Sequence, residues 1–210
     1  MTNKFEELHK LKDLMEEDDS LPLKKGAGKL VFGSGNTETK ILLIGEGPGR
    51  NEDIQGLPFV GQAGKLLDKL LILAGLERKK VFITNIVHHR PPENRDPLPN
   101  EIEAYGKYLD QIINIIKPKM IITLGRFSMA KFLPDVFTTL SSGEKVFSKP
   151  TISQVHGKSF KVNWGDPQDG DVLLLTVIPM YHPAASLRNG KILEAEKADF
   201  VNLKDMLQSI

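Results

Sequence analysis

Short runs of consecutive apolar residues alternate along the chain with longer stretches in which apolar residues recur every three or four positions. A continuous apolar run that stops at glycine or polar residues is typical of a strand buried on both faces, and the longer period is typical of an amphipathic helix. The predicted strands are residues 40–44, 81–87, Met120–Leu124 and 172–178. The predicted helices are residues 4–17, with an apolar stripe of Phe5, Leu8, Leu11 and Leu14, and residues 61–75, 100–117 and 191–208, with a further helix after Gly125.

This alternation of strands and helices predicts an α/β fold with a mainly parallel, four-stranded sheet that helices cover on both faces, formed by residues 1–210 as one domain. Residues 90–99 contain four prolines and are expected to be irregular, and residues 138–171 are polar and hairpin-like, around 148–151 and 162–171. In such sheets the ligand site lies beyond the carboxyl ends of the strands. The segments expected there are residues 45–49, 85–90, 125–126 and 180–189.

Composition narrows the classes of protein that the chain can be. It has 210 residues, 40% of them hydrophobic and 26% charged, and no cysteine. Disulfides, thiol nucleophiles and cysteine-ligated zinc or iron–sulfur sites are therefore excluded. No apolar run approaches the roughly 20 residues that span a bilayer, and residues 1–20 have no apolar signal segment, so the expected compartment is the cytoplasm.

Charge is nearly balanced overall but unevenly distributed. The net charge is +1, yet residues 1–20 carry three lysines against seven acidic residues, which leaves the rest of the chain at +5. This distribution permits a basic surface for nucleic acid without requiring one.

A glycine-rich segment, Gly45-Glu46-Gly47-Pro48-Gly49, follows the first buried strand. Its glycines permit a sharp turn or a close approach of the backbone to a ligand. The dinucleotide-binding fingerprint needs a helix directly after the glycines. Here Pro48 and a predicted loop of more than ten residues intervene, and the phosphate-binding Walker pattern is absent.

For each of three other side chains near the predicted strand ends, the sequence allows a structural and a functional interpretation. Phe59, between small residues, is either a core residue or a surface on which a planar base stacks. Asn85 ends a strand and either caps the backbone or reads a nucleobase edge with one acceptor and two donors. His182 is either structural or functional. With His88 and His89 it has irregular spacing and no accompanying carboxylate, so no metal site is predicted.

Taken in order, the motifs of this chain resemble the uracil-DNA glycosylase superfamily, and within it the family-four group. The resemblance runs from about residue 20 to about residue 205. The matching pieces are Gly45-Glu46-Gly47-Pro48-Gly49 with Glu52-Asp53, Pro58-Phe59-Val60-Gly61 with Ala63-Gly64, Thr84-Asn85, Arg90-Pro91-Pro92 with Asn94-Arg95, Thr123-Leu124-Gly125, and His182-Pro183 with Leu187-Arg188-Asn189. The fold that the resemblance implies is a three-layer α/β/α sandwich.

The resemblance also implies roles for individual residues in flipping uracil out of DNA and hydrolysing its N-glycosidic bond. The implied catalytic residues are Glu46 and His182. The implied base-binding residues are Gly47, Phe59, Asn85 and Glu52, the last of them placed to obstruct the methyl group of thymine. The implied DNA-binding residues are Leu187, Arg188, Asn189, Arg90 and Arg95, with Arg126 and Lys158 as further candidates for phosphate contacts.

The implied reaction needs no cofactor and leaves an abasic site. No lysine lies inside these motifs, so a Schiff-base lyase step is not expected. The expected partners are uracil-containing DNA and free uracil as product, with no membrane and no second copy of the chain.

The chain departs from the family pattern at one feature. Family-four enzymes carry four cysteines that bind a [4Fe–4S] cluster, and the corresponding positions here fall near Asp18, Leu21, His89 and Tyr105. We expect apolar packing around Leu21 and Tyr105 to fill that space.

Two alternative functions stay open at this point. The first is a glycosylase of broader base range that includes hypoxanthine or xanthine. The second is a non-catalytic or covalently trapping uracil-DNA-binding protein, although the short Arg90-Pro91-Pro92 turn disfavours trapping, because trapping relatives carry a long basic loop there.

Overall fold

A six-stranded sheet forms the centre of the molecule in a computed structural model that describes residues 3–133, 136–139, 145–165 and 172–208. The strands in chain order are β1 (Ser34–Gly35), β2 (Ile41–Gly45), β3 (Phe82–Asn85), β4 (Met120–Leu124), β5 (Val136–Thr139), β6 (Lys145–Ser148), β7 (Phe160–Trp164) and β8 (Leu173–Met180). The central sheet has the order β1-β3-β2-β4-β8-β7, and β5 and β6 form a separate antiparallel pair.

The four predicted strands are the parallel centre of this sheet, in the order β3-β2-β4-β8. The predicted number of strands was two too low, because β1 and β7 add antiparallel edges. β1 has only two residues, and β7 alternates between exposed and half-buried positions, so neither presents a continuous apolar run.

Helices cover the sheet on both faces, which confirms the predicted three-layer sandwich. They are α1 (Lys4–Glu17), α2 (Arg50–Gln55), α3 (Gln62–Leu73), α4 (Pro99–Ile116), α5 (Arg126–Phe132), α6 (Ile152–Val155), α7 (Pro183–Ser186) and α8 (Gly190–Leu207). Helices α1 and α4 pack together on one face, and α3 and α8 pack together on the other. In β2, Leu42 and Ile44 belong to the first core and Leu43 to the second, as the alternation of side chains along a strand requires.

The apolar stripe of α1 differs from the predicted one. Its buried residues are Leu8, Leu11 and Met15, whereas Phe5 and Leu14 are 59% and 60% exposed. At 100° per residue, the three buried side chains point within about 60° of one another, and the two exposed ones lie on either side of them.

Helix α2 was not predicted, because residues 50–55 were expected to belong to a loop. It begins directly after Gly49 and ends at Gly56, whose φ of 75° is left-handed. None of its residues is buried, so the sequence shows no apolar period from which to predict it.

The predicted hairpin-like region, 138–171, is confirmed in part, because β5 pairs antiparallel with β6 and β7 with β8. Residues 148–151 lead from β6 into α6 and do not form a hairpin turn. The second predicted segment, 162–171, overlaps β7, and its residues 166–171 lie outside the described residues. Across the described ranges, no helix combines the length and the apolar character needed to cross a membrane.

Candidate active site

A pocket of about 460 Å³ lies at the carboxyl ends of the central parallel strands, where α/β sheets bind their ligands. Eight of the predicted site residues line it: Glu46, Gly47, Glu52, Phe59, Asn85, Arg95, His182 and Arg188. The fold therefore brings together segments that lie more than 130 residues apart in the chain. Leu187, Asn189 and Arg90 are outside the lining.

Asn85 is the last residue of β3 and only 1% of it is exposed. Both polar atoms of its side chain are buried without a hydrogen-bond partner among the described residues. A buried polar group left unpaired costs about 1–3 kcal/mol, a cost that a ligand with complementary groups removes. Among the described residues Asn85 therefore caps no backbone group, and it lines the pocket.

Gly45 gives both Asn85 and Phe59 the room they occupy. It pairs with Asn85 across the parallel ladder of β2 and β3. A Cβ atom on residue 45 would lie 2.4 Å from Asn85 Oδ1 and 2.7 Å from the Phe59 ring. Any side chain at this position would therefore displace the two pocket residues.

Phe59 has an unusual backbone conformation. Its φ is 51°, in the left-handed region, where a bulky residue is an outlier that costs on the order of 1–3 kcal/mol. Its ring is 7% exposed and stacks against the His182 ring, with the centroids 5.7 Å apart and the planes inclined by 28°. The strained backbone thus keeps the ring inside the pocket.

The carboxylate of Glu52 holds the segment that follows Phe59. Its Oε1 accepts from the backbone N–H groups of Val60 at 2.9 Å and Gly61 at 2.7 Å. One oxygen of Glu52 is therefore hydrogen-bonded to the loop backbone, and the side chain also lines the pocket.

His182 is held in one tautomer. It is the N-cap of α7, and its Nδ1 accepts from the backbone N–H of Ala184 at 3.1 Å. Burial lowers the pKa of His182 to about 4, and nearby Glu52 opposes that shift. The imidazole is therefore neutral at pH 7 and carries its proton on Nε2, which is a hydrogen-bond donor.

Glu46 lies at the end of β2, opposite the beginning of α5. Its Oε1 accepts from the backbone N–H of Phe127 at 3.0 Å. A Cβ atom on Gly125, whose φ is 108°, would lie 2.4 Å from that oxygen. Burial raises the pKa of Glu46, with the hydrogen bond from Phe127 and the charge of Arg126 acting in the other direction.

Of the three predicted DNA-binding residues that follow α7, the first two are exposed side chains and the third caps the next helix. Leu187 is 51% exposed, and Arg188 is exposed while lining the pocket. Asn189 instead uses its Oδ1 to accept from the N–H of Lys191, which caps α8.

The remaining cationic candidates have partners within the protein. Arg95 makes two hydrogen bonds, of 2.9 and 2.6 Å, to buried Glu101. Arg90 donates to Asn94 at 2.7 Å, Arg126 pairs with Asp96, and Lys158 donates to the carbonyl oxygen of Gln154 at 2.7 Å. The contacts of Arg90, Arg95 and Arg126 involve Asn94, Arg95 and Asp96, which line the pocket.

The residues at the family's cysteine positions do not fit an iron–sulfur cluster. Asp18 accepts from Lys107 at 2.8 Å and Tyr108 at 2.7 Å, and His89 Nδ1 is 2.8 Å from the Tyr105 hydroxyl. Leu21 and Tyr105 are fully buried in the core between α1, α4 and the sheet. Side chains that bind each other and include no thiolate cannot hold this cluster. Within the described ranges, no three His, Cys, Asp or Glu residues are grouped to bind a metal ion.

Comparison with known proteins identifies the group to which this arrangement belongs. The model of the Uracil DNA glycosylase superfamily matches residues 32–205. A Type-4 uracil-DNA glycosylase of Archaeoglobus fulgidus is 40% identical over 88% of this chain and 85% of its own length. Those of Sulfurisphaera tokodaii and Saccharolobus solfataricus are 41% and 43% identical, over 84% and 85% of this chain and 74% and 76% of their own lengths. Since the match includes every motif that meets in the pocket, the chain belongs to the uracil DNA glycosylase superfamily.

Proposed function

We propose that this protein removes uracil from DNA by hydrolysing its N-glycosidic bond, which leaves an abasic site. The observation that carries this proposal is the buried amide of Asn85, which has no hydrogen-bond partner among the described residues and lies in one pocket with the Phe59 ring and a neutral His182. The relatives named Type-4 uracil-DNA glycosylase support uracil in DNA as the substrate.

Base recognition follows from the hydrogen-bonding pattern of an amide. The Oδ1 atom of Asn85 accepts from N3–H of uracil, and its Nδ2 donates to O4. Cytosine offers the opposite pattern and would leave the buried amide unpaired, at a cost of roughly 1–3 kcal/mol. Phe59 stacks on the flipped ring, and Gly47 allows the backbone to approach it.

Bond cleavage combines a donor to the leaving base with an acceptor for the attacking water. As the bond between C1′ and N1 breaks, its electron pair moves onto the base, and the Nε2–H of His182 donates to O2, where charge gathers. A preorganised donor of this kind contributes about 3–4 kcal/mol. Glu46 orients a water molecule whose oxygen bonds to C1′, and it accepts the proton that the water loses. The uracil anion then takes up a proton and leaves as free uracil.

DNA contacts are proposed for the exposed segment after α7. Leu187 enters the base stack as an apolar wedge, and Arg188 contacts a phosphate. The loops around this segment are ordered by Arg90, Arg95 and Asn189 through their hydrogen bonds within the protein. Only the donors that those bonds leave unused can contact the backbone of DNA. Glu52 shapes the floor of the pocket through the loop that carries Phe59.

We also propose that the protein acts as a monomer. We propose the cytoplasm as its compartment, in keeping with a cysteine-free chain that acts on DNA. The proposed steps use protein side chains and water alone.

The test is a gel assay on an oligonucleotide that contains one uracil, with and without alkali. Monofunctional hydrolysis predicts strand scission only after alkali, whereas scission before alkali would indicate a lyase. A denaturant-resistant protein–DNA adduct would indicate the trapping function, and no scission in either lane would favour a binding protein. The same oligonucleotide with hypoxanthine or xanthine tests the broader base range.

A further inference from the structure

We propose that Arg78 is a positioning residue that holds Phe59 in its left-handed conformation and thereby maintains the stacking face of the pocket. Arg78 lies in a short 3-10 turn, Arg78–Lys80, just before β3. The inference rests on the proposed function in one respect, which is that the Phe59 ring contacts the flipped base.

The guanidinium of Arg78 binds the two peptide groups that flank the Cα atom of the strained residue. Its Nη1 donates to the carbonyl oxygen of Phe59 at 3.0 Å, and its Nη2 donates to the carbonyl oxygen of Pro58. Nη1 also lies 3.0 Å from Asp68 Oδ1, on α3, which fixes the orientation of the guanidinium. Three acceptors around one planar group match the fork geometry of arginine, which a lysine ammonium does not reproduce.

Arg78 and Glu52 together hold three consecutive peptide groups around Phe59. Arg78 binds the carbonyl groups of residues 58 and 59, and Glu52 binds the N–H groups of residues 60 and 61. A residue with positive φ persists only where its surroundings over-determine it. Two oppositely charged side chains from separate elements provide that constraint here.

Arg78 acts through Phe59 and not on the substrate. The pocket lining, as far as the structure describes the chain, includes Phe59 and Glu52 but not Arg78. Its side chain is 31% exposed, and its guanidinium contacts the loop backbone and Asp68. Its effect on activity must therefore depend on the presence of the Phe59 ring.

The first test is a double-mutant cycle in single-turnover excision of uracil. Arg78→Met should lower the rate on the order of 100-fold, because a small misplacement of the ring disturbs the reactive geometry. In a Phe59→Ala background the same change should have almost no further effect. The matched control is Lys79→Met, a neighbouring cation whose side chain is 76% exposed and pairs with Glu77, and it should leave the rate unchanged. Equal losses from Arg78→Met in both backgrounds would overturn the proposal.

A second test measures the environment of the Phe59 ring without an activity assay, and it uses two different Arg78 variants. The protein is labelled with 4-fluorophenylalanine at its ten Phe positions, and the Phe59 fluorine signal is assigned by its loss in Phe59→Leu. Arg78→Met, and the milder Arg78→Lys, should shift or broaden this signal, and Lys79→Met should not. An unmoved signal in both Arg78 variants contradicts the proposal. If the wild type excises no uracil, the proposed function fails, and the fluorine signal still decides whether Arg78 holds Phe59.

Discussion

At the scale of single residues, the pocket combines an amide without a protein partner and an imidazole in a defined protonation state. Asn85 is among the least exposed polar residues of the chain, and its amide hydrogen-bonds to nothing in the described residues. His182 uses Nδ1 for the backbone N–H of Ala184 and so presents Nε2–H. Both features fit the proposed recognition of a base.

Replacing His182 with alanine should lower the single-turnover rate on the order of 100–1000-fold, because the donor to O2 acts only as charge develops. The dissociation constant for uracil-containing DNA at fixed salt should change little. The control is His9→Ala, since the His9 side chain is 60% exposed on α1, and it should leave the rate unchanged. A normal rate in His182→Ala, or a rate loss matched by a fall in melting temperature, would remove the catalytic role.

Asn85→Asp should reduce excision of uracil and admit some excision of cytosine. A protonated carboxyl at residue 85 donates to N3 of cytosine and accepts from its N4 amine, the complementary pattern. Burial favours the protonated form, because it disfavours charge. Parallel gel assays with uracil and cytosine oligonucleotides measure the change, with the exposed Asn100→Asp as control. Wild-type uracil activity in Asn85→Asp would place residue 85 outside base recognition.

At the scale of elements, the beginning of α3 packs directly on the loop that carries Phe59. A Cβ atom on Gly64 would lie 1.9 Å from the Phe59 carbonyl oxygen, the same oxygen that Arg78 binds. Gly106 of α4 is different, since a Cβ atom there would meet only the end of the Lys131 side chain, at 3.9 Å. A Cβ atom at residue 64 would therefore clash with the loop, whereas one at residue 106 has room.

Gly64→Ala should lower both the melting temperature and uracil excision, because the helix and the Phe59 loop must move apart. Gly106→Ala should raise the free energy of unfolding by up to about 1 kcal/mol, since alanine favours the helix and nothing obstructs it. Denaturant unfolding and the excision assay on both variants check the pair. Full activity in Gly64→Ala would show that the loop tolerates displacement of α3.

Helix α8 holds the elements next to His182 through two buried carboxyl groups. Glu196 hydrogen-bonds to Ser186 of α7, and Asp199 lies 2.6 Å from His156 Nδ1, after α6. The other oxygen of Glu196 has no partner in the described residues. Burial, and the charge of Asp199, raise the pKa of Glu196 to about 7, against the hydrogen bond from Ser186.

Glu196 should make the protein less stable as the pH rises from about 4.5 to about 7. Between its unfolded pKa of 4.5 and its folded pKa of about 7, the folded state binds this proton more tightly than the unfolded chain, so the free energy of unfolding falls with pH. Glu196→Gln should remove that fall, which amounts to at most about 3 kcal/mol. Denaturant unfolding across this pH range measures it. The exposed Glu194→Gln should keep the wild-type dependence, and parallel curves for wild type and Glu196→Gln would contradict the assignment.

At the scale of the whole molecule, packing and hydrogen bonds join the segment after α1 to α4. Leu21 and Tyr105 lie in the same core, Tyr105 bonds His89, and Asp18 bonds Tyr108. The expectation of apolar packing around Leu21 and Tyr105 is confirmed, with the addition of these polar contacts. Hydrogen bonds from Lys107, and more weakly from Ser20 and Tyr108, lower the pKa of Asp18 strongly.

The purified protein should therefore be colourless and free of stoichiometric iron, since its donor set cannot form a thiolate cluster. Incubation with a chelator should leave uracil excision unchanged. Metal analysis and a visible absorption spectrum check both statements. Iron in a fixed ratio to the chain, or an absorption band of a cluster, would show that other ligands have taken over the role of cysteine.

The parallel centre of the sheet and the main helices could be predicted from the amino-acid sequence alone. Strands such as β2 and β4 are continuous apolar runs because both of their faces are buried, and α4 shows a clear helical period because one of its faces is. The apolar run and the helical period each involve only neighbouring residues, so both can be recognised in the sequence without the rest of the fold. The motifs at the strand ends, including Asn85 and His182, were likewise predicted from their positions and from the family resemblance.

Features that depend on partners from distant parts of the chain become apparent only in the folded protein. The edge strands β1 and β7 exist because β3 and β8 offer them a ladder, and α2 forms without an apolar face of its own. The sequence does not show that Arg78 reaches the carbonyl groups around Phe59, because 19 residues separate the two positions and no periodicity links them. A side chain's hydrogen-bond partner is a property of three-dimensional packing, and so the lack of one at Asn85 appears only when the chain is folded.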